Sequence, residues 1–449
     1  MFGRQCHPRK IRLTLHPVET IPNQNSHSIR RVWIRSGAVG SHAETVGRYH
    51  SREGGIPQGL TVALAGFFPV LAIVSLAPAV PTILAHFANV ANATTLIPLM
   101  VTAPGIMIAL LSPFIGLAAD RYGRRPVMLS ATLIYGIVGV LPFFLDQLVA
   151  MFASRLALGV TEAAILTVTN VLIADYFNEN GRRLWLTVQA VLGPVLGVST
   201  IVSSGVLTAW HWSGAFLIYL VAFPMFLAML MFLFEPDRTP TTATTTAEPI
   251  GSFPWRQAGI YAPITLFAAV LYYVFIVQGG LAFDEIGLKD ASRLGGLLAI
   301  ASIGVPVGGI IFGLLSKRLG IPVVLALMFA FLGLGMIGIG SARTVTMMTA
   351  ASFVQQIGAG MCVASLIFWV STLLPASHRG RGFGIWTSAF FLGQFVSPAV
   401  AGPLRALTGG ILGVFVTMGV VAFLGTVICL SLAASAKRRV ALAPSSFQG

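Results

Sequence analysis

The sequence predicts an all-α membrane protein: twelve transmembrane helices in two pseudo-symmetric six-helix halves. Three observations lead there: the bulk composition, the spacing of long apolar runs, and a charged strip that recurs in weaker form. Of 449 residues, 56% are hydrophobic and only 9% charged, against about 25% charged in an ordinary soluble domain. With a mean hydropathy of +0.85, the chain carries more apolar surface than a soluble core can hide, so the bilayer is its solvent.

Apolar segments of spanning length fall near 60–84, 95–119, 126–145, 149–174, 185–207 and 211–234. Six more follow near 258–281, 294–316, 321–341, 345–374, 382–404 and 410–435. Backbone in lipid must satisfy its own hydrogen bonds, and runs of this length do so as helices rather than barrel strands. The segmentation gives a basic tail over 1–58, a first half over 59–235, a central loop over 236–257, a second half over 258–436, and a tail over 437–449. The first tail is polar and lacks periodic apolar residues, which predicts disorder; no short apolar core near Met1 suggests a cleaved signal peptide.

A net charge of +14 raises the question of nucleic acid, but the distribution answers it. Nine Lys/Arg lie in the first tail and eleven in loops on the same side of the membrane. Only Lys289, Arg293, Arg343 and Arg405 lie in loops on the opposite side. The bias of positive residues toward the inner face places both termini in the cytoplasm, and the excess charge is topological. No nucleic-acid partner is expected. Cys6, Cys362 and Cys429 are far apart and form neither a disulfide framework nor a metal site. The chain has no HExxH, no GxSxG and no Gly-Lys-Ser/Thr phosphate loop, so neither an enzyme nor a metal or organic cofactor is expected. Gly333 to Gly338 satisfies GxGxxG, but inside an apolar span with no preceding strand it reads as helix packing.

The charged strip is Gly116 to Met128, GLAADRYGRRPVM, between apolar runs of 25 and 20 residues. Gly123 suits a tight turn with positive φ, and Gly116 suits close approach of a second helix. An echo stands 197 residues later at Gly313 to Gly320, where Lys317 replaces Asp120. The strip resembles the signature loop of the major facilitator superfamily of transporters, between their second and third helices. By that resemblance Gly116, Asp120, Gly123 and Arg124 form a conformational gate, with Asp120 facing the N-terminus of the eleventh helix around Arg381 to Gly384. A carboxylate there gains roughly 0.3–1 kcal/mol from the helix dipole.

The fourth span carries Arg155 and Glu162, seven residues or two turns apart and so on nearly the same side. Thr169 and Asn170 extend the stripe. Charge in a span faces the protein interior or a water-filled cavity. Arg155 with Gly159 is similar to the family's fourth-helix motif, linked to proton transfer. Glu162, the only acid well inside any span, is the candidate proton carrier; its plainer reading is a static partner for Arg155 or another helix. In the fifth span Gly193, Pro194 and Gly197 are similar to the core of the family's antiporter motif, in which proline bends the helix and the glycines pack closely. Candidates for lining a substrate cavity are Asn170, Gln189, Tyr272, Tyr273, Gln278, Gln355 and Gln394. Bonding between helices is the commoner use of such amides.

The resemblance, over roughly 59–436, implies a secondary transporter of the bacterial inner membrane that works as a monomer without a cofactor. The resemblance to the family's twelve-helix drug-proton antiporter branch implies export of small hydrophobic or amphipathic organic compounds against protons. Uptake of a small organic acid or sugar together with protons is the alternative on the same fold.

Overall fold

A computed structural model of the protein describes residues 54–236, 253–375 and 378–441. It contains twelve helices long and apolar enough to cross a bilayer, and the described residues form no strand. They are α1 (Ile56–Val74), α2 (Ala93–Ser112), α3 (Arg124–Phe144), α4 (Leu148–Tyr176), α5 (Glu179–Trp210) and α6 (Gly214–Phe232), then α7 (Trp255–Glu285), α8 (Ala291–Leu315), α9 (Ile321–Ser341), α10 (Val345–Leu373), α11 (Arg379–Thr408) and α12 (Ile411–Ser431). The predicted architecture is therefore present, although several helices overrun their apolar stretches. The α2 helix continues to Tyr122 and the α12 helix to Ala441. Most of the tails and of the central loop lies outside the described residues, but their edges are helical: α1 starts at Ile56 and α7 at Trp255. Lys, Arg, Gln and Ala are good helix formers, so the helices persist past the apolar run.

The α1 span is not one rod. It consists of Ile56–Ala65 and Phe68–Val74, and a further short piece, Val80–His86, follows it before α2. Pro69 and Pro81 each occupy the first turn of a piece, where a missing N–H costs nothing, while inside a continuous helix each would break the ladder. The break after Val74 leaves backbone carbonyls of α1 free for other partners.

Within the first half α2 packs on α4, and α3 on α4 and α6; in the second, α9 packs on α10 and α12, and α8 on α10. The halves meet through α2 with α11, α5 with α8, and α1 with α7. We call the side bearing Arg121, Arg124, Arg125, Arg182 and Arg183 the basic face, and its opposite the far face. Small residues show where the halves touch. At the far face a Cβ on Gly205 of α5 would meet Gly295 Cα of α8 at 3.0 Å, and one on Gly280 of α7 would meet Ala77 O at 2.7 Å. Deeper, a Cβ on Gly105 of α2 would meet Phe391 O of α11 at 2.8 Å. Toward the basic face the halves part around a cavity that reaches Trp255, Gly380 and Arg381. The halves thus form a V closed at the far face and open at the basic face. The close approaches expected at Gly116 and Gly193 are not made: neither has an atom within 4 Å of an added Cβ. Gly197 fares little better, with Phe67 at 3.9 Å.

The glycines of the GxGxxG run do pack helices. Gly333 lies against Gly419 and Phe423 of α12, and Gly335 and Gly338 against Gln355 and Ala351 of α10.

The basic ends of the first half are tied together around the charged strip. Gly123 has φ +101° and ψ 148°, a region reserved for glycine. The turn lets α3 begin with its N–H groups facing one carboxylate: Arg124 and Arg125 both donate backbone N–H to Glu235, each at 2.8 Å. Arg124 also pairs with Asp175 at the end of α4, and Arg125 donates from Nη2 to Leu230 O at 3.0 Å. Gln58 Nε2 donates to Phe232 O at 2.9 Å, which adds the start of α1.

Two outcomes follow from this packing. Gly123→Ala forces a Cβ into a glycine-only conformation 3.1 Å from Glu235 Oε1 and is expected to cost about 1–3 kcal/mol, measured as a lowered melting temperature in detergent. Gly205→Leu places a side chain where backbone stands and is expected to part α5 from α8 at the far face. Faster maleimide labelling of a cysteine at Ser292 would register that parting; unchanged labelling would contradict it.

Candidate functional site

The α4 helix is continuous from Leu148 to Tyr176, and its polar stripe is buried as the two-turn spacing requires: Arg155, Glu162 and Thr169 are 0%, 1% and 1% exposed. The two charges do not pair. Arg155 Nη2 donates to Ala72 O at 3.1 Å and to the Tyr219 hydroxyl at 2.6 Å, and that hydroxyl donates to the same Ala72 O at 2.8 Å. Ala72 lies in the last turn of the second piece of α1, so the guanidinium sits at a helix C-terminus, where the dipole favours a cation. Its carbon also lies 5.0 Å from the centroid of the Tyr219 ring, a cation–π contact. The expected ion pair between Glu162 and Arg155 is therefore not formed: Ala72 O of α1 and the Tyr219 phenol bond the arginine through Nη2, while its buried Nε and Nη1 have no hydrogen-bond partner.

Glu162 is left without an ion pair among the described residues, and its Oε1 has no hydrogen-bond partner. It lies within electrostatic reach of Arg155, Tyr135 and Tyr219 in the first half and of Tyr273 in the second. An uncompensated charge inside a membrane protein is costly. A carboxyl group is able to shed its charge by taking a proton.

Between the halves lies a cavity of about 1590 Å³, lined by α1, α2, α4, α7, α10 and α11. It reaches from mid-span residues such as Ile73 and Tyr273 to Trp255, Gly380 and Arg381 at the basic face. Of the expected lining residues, Asn170, Tyr272 and Tyr273 are present. Gln189, Gln278, Gln355 and Gln394 do not line it. Gln189 lies against Gly66 and reaches Ala63 O at 3.5 Å, Gln394 packs on Gly105, and Gln355 packs on Gly335. Gln278 is 4% exposed, within the packed part of α7. Gln189, Gln355 and Gln394 fill helix interfaces, where a glycine on the neighbouring helix makes room for each.

Asp120 does not meet α11 in this structure. Its side chain is 70% exposed, with Arg124 Nη2 at 3.9 Å. The expected gating partners, Arg381 and Gly384, line the open cavity. Pro194 stands inside a helix that runs unbroken from Glu179 to Trp210. Sequence reasoning missed Asp175, Tyr219, Glu235 and Phe390. Glu235 carried a signal, since an acid ending an apolar span is a natural acceptor for a helix start on the same face. Tyr219 carried none.

A family model described as Major Facilitator Superfamily matches residues 62–283 and again 280–447. An enterobactin exporter of Shigella flexneri is 27% identical over 378 residues, covering 78% of this chain and 86% of that protein. The enterobactin exporter of Salmonella choleraesuis is 26% identical over 377 residues, with the same shares covered. Among solved structures, the nucleoside transporter NupG superposes with a TM-score of 0.69 at 13% identity, covering 83% of this chain and 98% of its own. A D-xylose-proton symporter does so at 0.67 and 15%, covering 82% and 96%. The two matches together take in most of the chain, and the chain belongs to the Major Facilitator Superfamily of transporters.

Proposed function

We propose that the protein is a proton-coupled exporter of small hydrophobic or amphipathic organic compounds, working by alternating access. The observation that carries this reading is the pairing of a large, mostly apolar cavity with a buried, unpaired carboxyl beside it. The basic face is the cytoplasmic one by the distribution of Lys and Arg, so the V stands open to the cytoplasm and substrate enters from there. Sequence relatives that export support the direction.

In this reading Glu162 carries the proton and Arg155 does not move with it. Arg155 is anchored to α1 through Ala72 O, which leaves Glu162 free to gain or lose its charge without breaking an ion pair. Coupling requires that proton and substrate each bind the two states of the carrier with different affinity. Glu162 meets that condition if closing the basic face alters its surroundings, and its proximity to Tyr273 of the opposite half supplies a route. Closure of the V brings Asp120 toward the start of α11, where the carboxylate caps a helix N-terminus and holds the closed state. No bound cofactor is needed, because the proton gradient supplies the energy. A single chain contains both halves of the cavity and works as a monomer.

Transport in proteoliposomes with an imposed pH gradient tests the assignment. Wild type is expected to move substrate against the proton flow, and Glu162→Gln to lose gradient-driven accumulation to the level of protein-free liposomes while keeping substrate counterflow. Accumulation together with protons would establish the symporter instead. Full coupling in Glu162→Gln would remove Glu162 from the proton path.

A further inference from the structure

The two walls of the cavity differ in kind. The first half contributes aliphatic side chains, Val70, Ile73, Ile106, Leu110 and Leu166, with Asn170 exposed among them. The aromatic rings of the lining all come from α7, α11 and Phe253 just before α7. Phe390 is their centre: Trp386 stacks on it at 5.3 Å and 19°, Tyr273 lies at 5.4 Å and Tyr272 at 5.6 Å, and the two tyrosines meet edge to face at 4.8 Å. Charge is equally one-sided. No Asp or Glu lines the cavity, and its one charged lining residue is Arg381, exposed at the basic-face mouth with no ion pair among the described residues. Glu162 stands one turn from Leu166 but is 1% exposed and does not line the space.

We propose that this cavity selects uncharged or singly anionic planar aromatic compounds and discriminates against lipophilic cations, with Trp386 and Phe390 as specificity-determining residues and Arg381 as the anion contact. The proposal rests on the reading of the cavity as a substrate site. A flat ring inserted between the walls gains aliphatic contact on one side and ring contact on the other, and aromatic pairs add attraction beyond buried area. A cation entering the same space leaves water without meeting a counter-charge, which is costly however well it fits. The attraction of a ring face for a cation only partly offsets that cost. An aromatic carboxylate keeps a partner by leaving its charge at the mouth beside Arg381, a fork of donors suited to it.

Equilibrium dialysis of the purified full-length protein against three probes of matched size and different charge decides the question: 2-naphthol, 2-naphthoate and N-methylquinolinium. Binding needs neither a gradient nor a direction, so it fails or succeeds independently of proton-coupled export. Naphthol and naphthoate are expected to bind about tenfold or more tighter than N-methylquinolinium. Phe390→Leu, which keeps bulk and removes the ring, is expected to weaken both by about three- to tenfold. Arg381→Gln is expected to weaken naphthoate alone. N-methylquinolinium binding as tightly as naphthol would overturn the charge selection in the wild type, whatever the variants do. Equal loss of naphthol and naphthoate in Arg381→Gln would overturn the anion contact, and unchanged binding in Phe390→Leu the aromatic wall.

Discussion

A guanidinium in the middle of a membrane bundle must be compensated, and how Arg155 is compensated organises the first half. No carboxylate is spent on it. Its Nη2 is met by Ala72 O, left free because α1 breaks after Val74, and by Tyr219 of α6, while Nε and Nη1 have no hydrogen-bond partner. This joins α4, α1 and α6 at one point. Ser204 of α5 adds a further tie by donating to Ser75 O at the same break. The irregular backbone of α1 is tolerated in the hydrocarbon region because protein groups surround it. The same arrangement leaves Glu162 near Arg155 without an ion pair to it.

Chemistry is divided between the halves. The first holds the buried charges and the tied basic loop, while the second supplies the aromatic wall of the cavity. The loop duplication already hinted at this inequality, since Lys317 stands where the first half has Asp120. In the proposed exporter this division would assign the proton to the first half and the substrate's ring to the second.

The spans and the two buried charges of α4 were legible in the sequence because lipid penalises polar groups so heavily that each exception stands out. Which partners those exceptions take was not legible. Arg155 bonds to Ala72 and Tyr219, respectively 83 and 64 residues away, and that choice follows from where α1 breaks. The glutamines show a second limit. Gln355 and Gln394 announce a polar group inside a span, but whether it faces a cavity or a glycine on the next helix depends on helix rotation, which apolar spans scarcely encode. The Glu235 cap joins positions 110 and 111 residues apart, and only the closed first half brings them together. The open basic face is a property of the state adopted, so the roles expected of Gly116 and Asp120 find no contact here.

The bare backbone contact of Gly205 with Gly295 has a mechanical consequence. With no side chain at the crossing there are no rotamers to rearrange, and α5 can tilt on α8 as a lever on a fulcrum. At 1.5 Å rise per residue, the end of α5 at Glu179 lies roughly 39 Å from that fulcrum. A tilt of about ten degrees there carries the basic end through roughly 7 Å, enough to admit or exclude an aromatic ring, while the far end scarcely moves.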